Sequence, residues 1–306
     1  MRIIVTGVGG FVGRALVERL VPVHEVVGID TAPMPAGCRA VIGDLTDRAV
    51  LDAAFEGGCD AVVHLATVPG GAAEADPALA RRINLDATFD LADGASAAGC
   101  GRFLFASSIA VFGDPLPDHV DDDTPLAPRL LYGAHKAIAE AWLATLSRRG
   151  SLDALSLRLP GIVARPRGSA TMKSAFMSDL FHALRAGERF TVPVSPGATM
   201  WLMSRARLVD NLVLALDLDA AQLPNDRAVT LPALRVSMAS LVAEIAAQAG
   251  ADAGLVDYAP DAALEAAFGA QPPLETPRAD ARGLIHDGSL AHLVANVLAD
   301  LSTEPA

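Results

Sequence analysis

The stretch "RIIVTGVGGFVGRALVERL", residues 2–20, decides the fold. Its first half is a β-branched run, its middle holds glycines at 7, 10 and 13, and its second half carries apolar residues at helical spacing. That is strand, tight turn and helix. Glycine lets the backbone turn sharply, and the N–H groups that open a helix attract an anion. Arg14, Glu18 and Arg19 interrupt the apolar run, so the segment does not read as a secretion signal or an anchor.

The same alternation continues outward. Strands are expected at 2–6, 25–30, 40–42, 61–66, 102–107 and 154–159, with helices at 11–20, 47–55, 76–98 and 132–148. Near-continuous apolar strands alternating with helices specify an α/β fold, a Rossmann-type doubly wound parallel sheet covered on both faces. The second half is less regular. Helices are expected at 172–186, 204–219, 237–249 and 288–301, with a strand at 227–231. Residues 1–166 read as a dinucleotide-binding core to which the chain returns near 204–231, and 167–306 mainly as a smaller substrate-binding subdomain.

Composition narrows the function. With 306 residues, 52% hydrophobic and 20% charged, the chain is globular. A net charge of −12 without a basic cluster argues against nucleic acid and anionic membranes. No apolar run reaches the ~18 residues of a membrane span. Cys38, Cys59 and Cys100 share no metal-ligand spacing and read as reduced, buried thiols of a cytoplasmic protein. No metal site is expected. "DDD" at 121–123 reads as a solvated loop, and His64, inside an apolar strand, as a satisfied core residue.

Strand ends then define a ligand. Gly7, Gly10 and Gly13, with Phe11 and Val12 opening the helix, suit a pyrophosphate. Asp30 ends the second strand, where a carboxylate accepts ribose hydroxyls. The first arginine after it is Arg39, so a 2′-phosphate would meet repulsion and NAD is favoured over NADP. Asp44 and Leu45 flank the adenine side, and Leu65 and Ala66 end the fourth strand.

The chemical end centres on "LLYGAHKAIAEAW", 130–142. Tyr132 and Lys136, four apart, share a helix face. A phenol ionises near pH 10, so use as a base at neutral pH requires stabilising the phenolate by ~4 kcal/mol. A neighbouring ammonium supplies this. "FLFASSIAVFG" brings Ser107 and Ser108 to the end of the fifth strand, where a hydroxyl can donate to a substrate oxygen.

In order, Gly7-x-x-Gly10-x-x-Gly13, Asp30, Asp44-Leu45, "HLA", "SSIAVFG", Tyr132-x-x-x-Lys136 and "LRLPGIVARP" resemble the extended short-chain dehydrogenase/reductases, the NAD-dependent epimerase/dehydratase group. The resemblance covers about residues 1–166. It implies Tyr132 as general base, Lys136 as its electrostatic partner and Ser108 as the catalytic hydroxyl. It further implies Asn84 as a support of the active-site helix, Asn84, Tyr132 and Lys136 among the cofactor contacts, and Pro160, Ile162 and Val163 beside the nicotinamide. Dimerisation through the helices at 76–98 and 132–148 is also implied.

Departures choose among reactions. Ile109 and Ala110 stand where dehydratases carry an acid and a base, so water elimination is not expected. Met200, Trp201 and Met203 replace the diphosphate-binding pattern of epimerases, although Arg205 and Arg207 remain nearby. The second half resembles sugar-acid dehydrogenases, which implies oxidation of a small polyhydroxy carboxylate at C2. Thr67, Ser108, Arg165, Ser174, Trp201 and Arg205 are the candidate substrate contacts. A nucleotide-sugar 4-epimerase, a uronate dehydrogenase and a non-catalytic dinucleotide sensor stay open as alternatives.

Overall fold

The computed structural model describes residues 1–113, 115–167 and 174–303. The start of the helix expected at 172 lies outside the described residues. The chain divides into two compact units: Met1–Gly113, Pro125–Leu159 and Val209–Thr230 form the first, and Asp114–Thr124, Pro160–Leu208 and Leu231–Ala306 the second. The division therefore falls at Pro160 rather than after 166, and a short loop ahead of Tyr132 joins the second unit.

The first unit begins with β1 (Arg2–Thr6), α1 (Phe11–Leu20), β2 (Glu25–Asp30), β3 (Arg39–Ile42), α2 (Arg48–Phe55) and β4 (Ala61–His64). It continues through α3 (Gly70–Ala75), α4 (Pro77–Arg81), α5 (Ala87–Ala97), β5 (Arg102–Ser108), α6 (Leu131–Arg148) and β6 (Ala154–Leu159). Next come β7 (Gly161–Val163), α7 (Phe176–Ala186), β8 (Phe190–Val192), β9 (Thr199–Ser204), α8 (Arg205–Leu216) and β10 (Ala228–Thr230). The chain ends with β11 (Leu234–Ser237), α9 (Met238–Ala249), β12 (Val256–Tyr258), α10 (Ala262–Phe268), α11 (Pro277–Asp280) and α12 (Leu290–Thr303).

Seven strands of the first unit form one sheet in the order β10-β6-β5-β4-β1-β2-β3. Every neighbouring pair is parallel. The chain moves outward from β1 through β2 to β3, then crosses back to β4 on the other side. The carboxyl ends of β1 and β4 therefore flank the topological switch point, where such sheets bind ligands. Burial on both faces explains the unbroken apolar runs: Ile3, Ile4, Val5, Val62 and Val63 are fully enclosed.

Helix α1 buries Gly13, Leu16, Val17 and Leu20, one stripe at helical spacing. Helix α6 inverts that logic. Lys136 and Glu140 are 2% and 4% exposed, whereas Ile138 and Trp142 on its other face are 48% and 40% exposed.

The helix expected at 76–98 is three pieces. Between α4 and α5, Arg82–Asp86 form a π-helical turn that carries Asn84. Such a turn fits one extra residue into the helix and rotates the turns beyond it. Propensity carries no sign of it.

The second unit holds a three-stranded sheet, β11-β9-β7, and a two-stranded parallel pair, β12-β8. Its core gathers Leu180, Phe181, Met200, Leu202, Met238, Ile245, Leu293 and Val297. The Asp121–Asp123 loop is solvated, with the Asp123 side chain 87% exposed, and is also anchored: Asp122 accepts from Arg278 N at 2.8 Å and Asp123 from Arg278 Nη2 at 2.9 Å.

The expectation for the cysteines is corrected. Cys59 and Cys100 are joined in a disulfide, 41 positions apart. The register of β4 with β5 pairs Ala61 with Arg102, which puts the residues two before each side by side. Cys38 is free and half-buried, and burial raises its pKa.

Candidate active site

The glycine turn closes on itself. Gly7 has φ +74° and donates to Ile29 O at 2.9 Å, while Gly10 donates to Gly7 O at 3.1 Å. A Cβ at Gly13 would lie 2.1 Å from Gly7 O, so helix and turn meet backbone to backbone. Gly10 caps α1 without a side-chain bond, and Phe11, Val12 and Gly13 form the first turn. Asp30 braces this turn: Oδ2 accepts from Gly9 N at 2.8 Å and Oδ1 from Ala32 N at 2.9 Å. A carboxylate accepts about four hydrogen bonds, so two places remain for ribose hydroxyls.

The cation nearest this corner by sequence is not the one that reaches it. Arg39 turns to Glu56 and to Ala53 O. Arg14 instead donates to Gly9 O at 2.9 Å and to Pro33 O at 3.1 Å, beside the segment after Asp30. Charge on Asp30 would repel a 2′-phosphate, which Arg14 would otherwise attract. Asp30→Ser is expected to weaken NAD use about 10- to 100-fold, the ~1.5–3 kcal/mol of a lost charged hydrogen bond. It should raise the NADP-to-NAD ratio of kcat/KM, and an unchanged ratio in steady-state assays would show that this corner does not discriminate.

Asp44 comes after β3, and its Oδ1 accepts from Thr46 N at 2.9 Å and Thr46 Oγ1 at 2.8 Å. These bonds, with a smaller contribution from Arg82, hold its pKa down. Leu45 is buried. Leu65 and Ala66 extend from β4, and Ala66 N donates to Thr6 Oγ1 at 3.1 Å, which ties them to β1.

Under this corner His64 bridges Thr6 Oγ1 at 2.7 Å and Thr88 Oγ1 at 2.9 Å. Burial, reinforced by Lys136, pushes its pKa down to about 3, so it is a neutral core group. Asn84 Oδ1 accepts from Val68 N at 2.7 Å and from Thr67 Oγ1 at 3.0 Å, and its Nδ2 donates to Val68 O at 3.0 Å. The π turn thus pins the segment that leaves β4, and the Thr67 hydroxyl donates to Asn84 while keeping its capacity to accept.

Tyr132 is half-buried at the start of α6. Lys136 Nζ lies 5.5 Å from its ring centroid and 4.5 Å from that of Phe105, and donates to Ala106 O at 2.7 Å. Burial pulls the Lys136 pKa down to about 7, with Glu140 acting in the opposite direction. Ser108 Oγ accepts from Ala110 N at 3.1 Å, which orients the hydroxyl and leaves its proton to donate. Ser107 is engaged elsewhere, by Glu140. A Cβ at Gly133 would lie 2.0 Å from Ala110 O, so only glycine lets α6 approach the turn after Ser108.

Pro160, Ile162, Val163, Arg165, Ser174, Trp201 and Arg205 all belong to the second unit. Two of them are corrected. Trp201 is 1% exposed and donates Nε1 to Pro272 O at 2.7 Å, so it is core and lines no open pocket. Arg205 is committed to Asp300 at 3.2 Å, which occupies the charge expected to receive a carboxylate. The Arg165 carbonyl is bonded to His182 Nε2 at 2.8 Å, and Ser174 precedes α7. Three residues went unnoticed in the sequence: Arg14, Glu140 and Arg158. Glu140 continues the four-residue spacing from Tyr132 and Lys136, a signal that was present.

Fold and site define a doubly wound dinucleotide-binding protein with a serine, a phenol and an amine gathered at its fifth strand and sixth helix. The model of the NAD dependent epimerase/dehydratase family matches residues 3–201. The chain belongs to that family. It is 36% identical to a D-erythronate dehydrogenase of Cupriavidus necator, over 98% of each chain. It is 30% identical to a D-erythronate dehydrogenase of Haemophilus influenzae, over 80% of this chain and 81% of that one. In structure it is similar to a nucleoside-diphosphate-sugar epimerase of Agrobacterium tumefaciens, with TM-score 0.90 and 30% identity over 99% of this chain and 95% of that one. NAD is the cofactor. The residues fit it: the side-chain-free approach of Gly13 to Gly7 and the uncapped start of α1 leave a backbone cradle for the pyrophosphate. Among the described residues no group of acids, histidines or cysteines is set to hold a metal, and no helix is long and apolar enough to cross a membrane.

Proposed function

We propose that this chain is an NAD-dependent dehydrogenase that oxidises a secondary hydroxyl, at C2, of D-erythronate or a close small sugar acid. The observation that supports the reading is the Tyr132–Lys136 pair, with Lys136 bonded to Ala106 O of the strand that ends in Ser108, on a chain similar over its length to a D-erythronate dehydrogenase.

When bound, NAD supplies the hydride acceptor. Ser108 donates to the substrate hydroxyl oxygen and fixes it. Tyr132, as phenolate, takes the hydroxyl proton as the C–H hydride leaves, and the carbon becomes a ketone. Lys136, as ammonium, lowers the cost of that phenolate. The turn at 7–13 holds the pyrophosphate, Asp30 the adenosine ribose, and Asp44, Leu45, Leu65 and Ala66 the adenine side. Asn84 holds the segment behind α6. Dependence on the cellular NAD pool supports a cytoplasmic location.

A panel of four- to six-carbon aldonates and uronates, read by NADH absorbance, tests this. Turnover highest on D-erythronate supports it, and absence of NADH with every sugar acid overturns it. The epimerase likeness supports a second reading, in which hydride returns to the sugar. Interconversion of UDP-sugars without net NADH would favour that reading instead.

The exposed face of α6 supports a homodimer. Leu131, Ile138 and Trp142 are 36%, 48% and 40% exposed, and Trp142 packs against Phe89 of α5 with tilted rings 5.3 Å apart. An apolar stripe of this kind marks an association surface. Ile138→Glu is expected to convert a dimer into a folded monomer in sedimentation analysis. A dimer that survives this change would place the interface elsewhere.

A further inference from the structure

Tyr132, Lys136 and Glu140 recur every four residues, so one face of α6 carries phenol, amine and carboxylate in succession. The first two have work in the reaction. The carboxylate has none yet, although it is nearly enclosed.

Its partners connect three elements. Arg158 of β6 meets Glu140 through Nε at 3.1 Å and Nη2 at 2.9 Å, with their side chains 6% and 4% exposed. Ser107 of β5 donates its hydroxyl to Oε1. Ser107 stands directly before Ser108, and Ala106, directly before Ser107, accepts from Lys136 Nζ at 2.7 Å. Three consecutive residues of β5 thus serve the amine, the carboxylate and the substrate. A buried ion pair is a poor source of stability, because desolvation offsets most of its Coulomb gain and apolar residues pack as well. Its presence one turn beyond the amine calls for an electrical reason.

We propose that Glu140 is a positioning residue for the reaction: its carboxylate keeps Lys136 protonated and locks Ser107, hence Ser108, against α6. This rests on the assignment of Tyr132 and Lys136 as base and partner. The groups facing the amine are Tyr132, His135 and Glu140 from α6, His64 from β4 and Arg158 from β6. His64 is neutral, with a pKa near 3, and burial lowers that of His135. Glu140 is the one charge that opposes the effect of burial on Lys136.

The chain has only two lysines, Lys136 and Lys173, so ¹³Cε-labelled lysine gives two resonances, assigned with Lys136→Arg. The experiment titrates Lys136 in the full chain and measures the pH profile of kcat with NAD and D-erythronate. Glu140→Gln keeps the shape and removes the charge. Lys136 should then titrate at least ~1 unit lower, as expected for loss of a neighbouring opposite charge. The alkaline limb of kcat, where the ammonium is lost, should move down equally, so that kcat above it falls about tenfold. Glu140→Asp should restore part of both, and Ser107→Ala should leave the Lys136 titration in place while lowering kcat.

A folded Glu140→Gln protein whose Lys136 titrates as in the wild type overturns the inference, even if kcat falls uniformly. If that variant does not fold, Glu140→Gln with Arg158→Met is compared with Arg158→Met alone, which isolates the carboxylate, and a Lys136 that titrates equally in both overturns it. A wild-type protein that never forms NADH refutes the proposed reaction, and the NMR titration still decides whether Glu140 holds the charge on the amine.

Discussion

Tyr132→Phe is expected to lower turnover by about 10²- to 10⁴-fold, the span of a lost general base. That is about 3–5 kcal/mol of transition-state stabilisation. The change removes one oxygen from a half-buried ring and leaves the apolar body in place. Melting temperature and NAD affinity should therefore stay near the wild-type values. Phenylalanine cannot take a proton, so raising the pH should not recover activity. Steady-state kinetics between pH 6 and 10 check this, and turnover within threefold of the wild type would remove Tyr132 from the chemistry.

Gly13→Ala is the second large effect, and it acts on the cofactor rather than on the proton. The added methyl would stand 2.1 Å from Gly7 O and 2.7 Å from Val8 Cα, both backbone atoms of the turn. Neither can swing aside as a side-chain tip can, so α1 must move away from the turn. Overpacking of this sort costs about 1–3 kcal/mol of stability. The larger loss falls on the cradle, because the pyrophosphate relies on N–H groups held in one arrangement. NAD affinity measured by calorimetry should drop at least ~100-fold, about 2.7 kcal/mol. Retained affinity in a folded variant would mean that the turn does not carry the cofactor.

Some of the architecture was legible in the sequence for simple reasons. The strands at 2–6, 25–30 and 154–159 and the helix at 11–20 appear at the boundaries expected. Each strand there is a short apolar run with turn residues beside it, and the helix comes directly after a glycine turn. The π turn at 82–86 was hidden because its cause is tertiary: Asn84 must reach Val68, which no local preference records. Strand β9 was missed because "TMWLMS" is enclosed on both faces and shows no alternation. The same enclosure turns Trp201 into core.

Around the site, residues that act through backbone or spacing were readable, while those set by long-range pairing were not. The disulfide depends on the register of two neighbouring strands, and the fate of Arg205 on Asp300, 95 positions away. Arg14 sits on the far side of the glycine turn from where a linear search for a cation begins. Glu140 differs, since its spacing from Lys136 was visible. Burial against Arg158 distinguishes it from an ordinary helix-surface pair, and only the packed fold shows that.

The central claim is that a buried ammonium keeps the Tyr132 phenol ionised at neutral pH once NAD is bound. Tyr132 and Tyr258 are the only tyrosines, so ¹³Cζ-labelled tyrosine gives two resonances, and burial raises the Tyr258 pKa. In the NAD complex, one resonance, absent from Tyr132→Phe, should titrate about 2–3 units below the ordinary phenol value near 10 while the other stays above it. Two tyrosines that both remain protonated up to about pH 10 would contradict the claim.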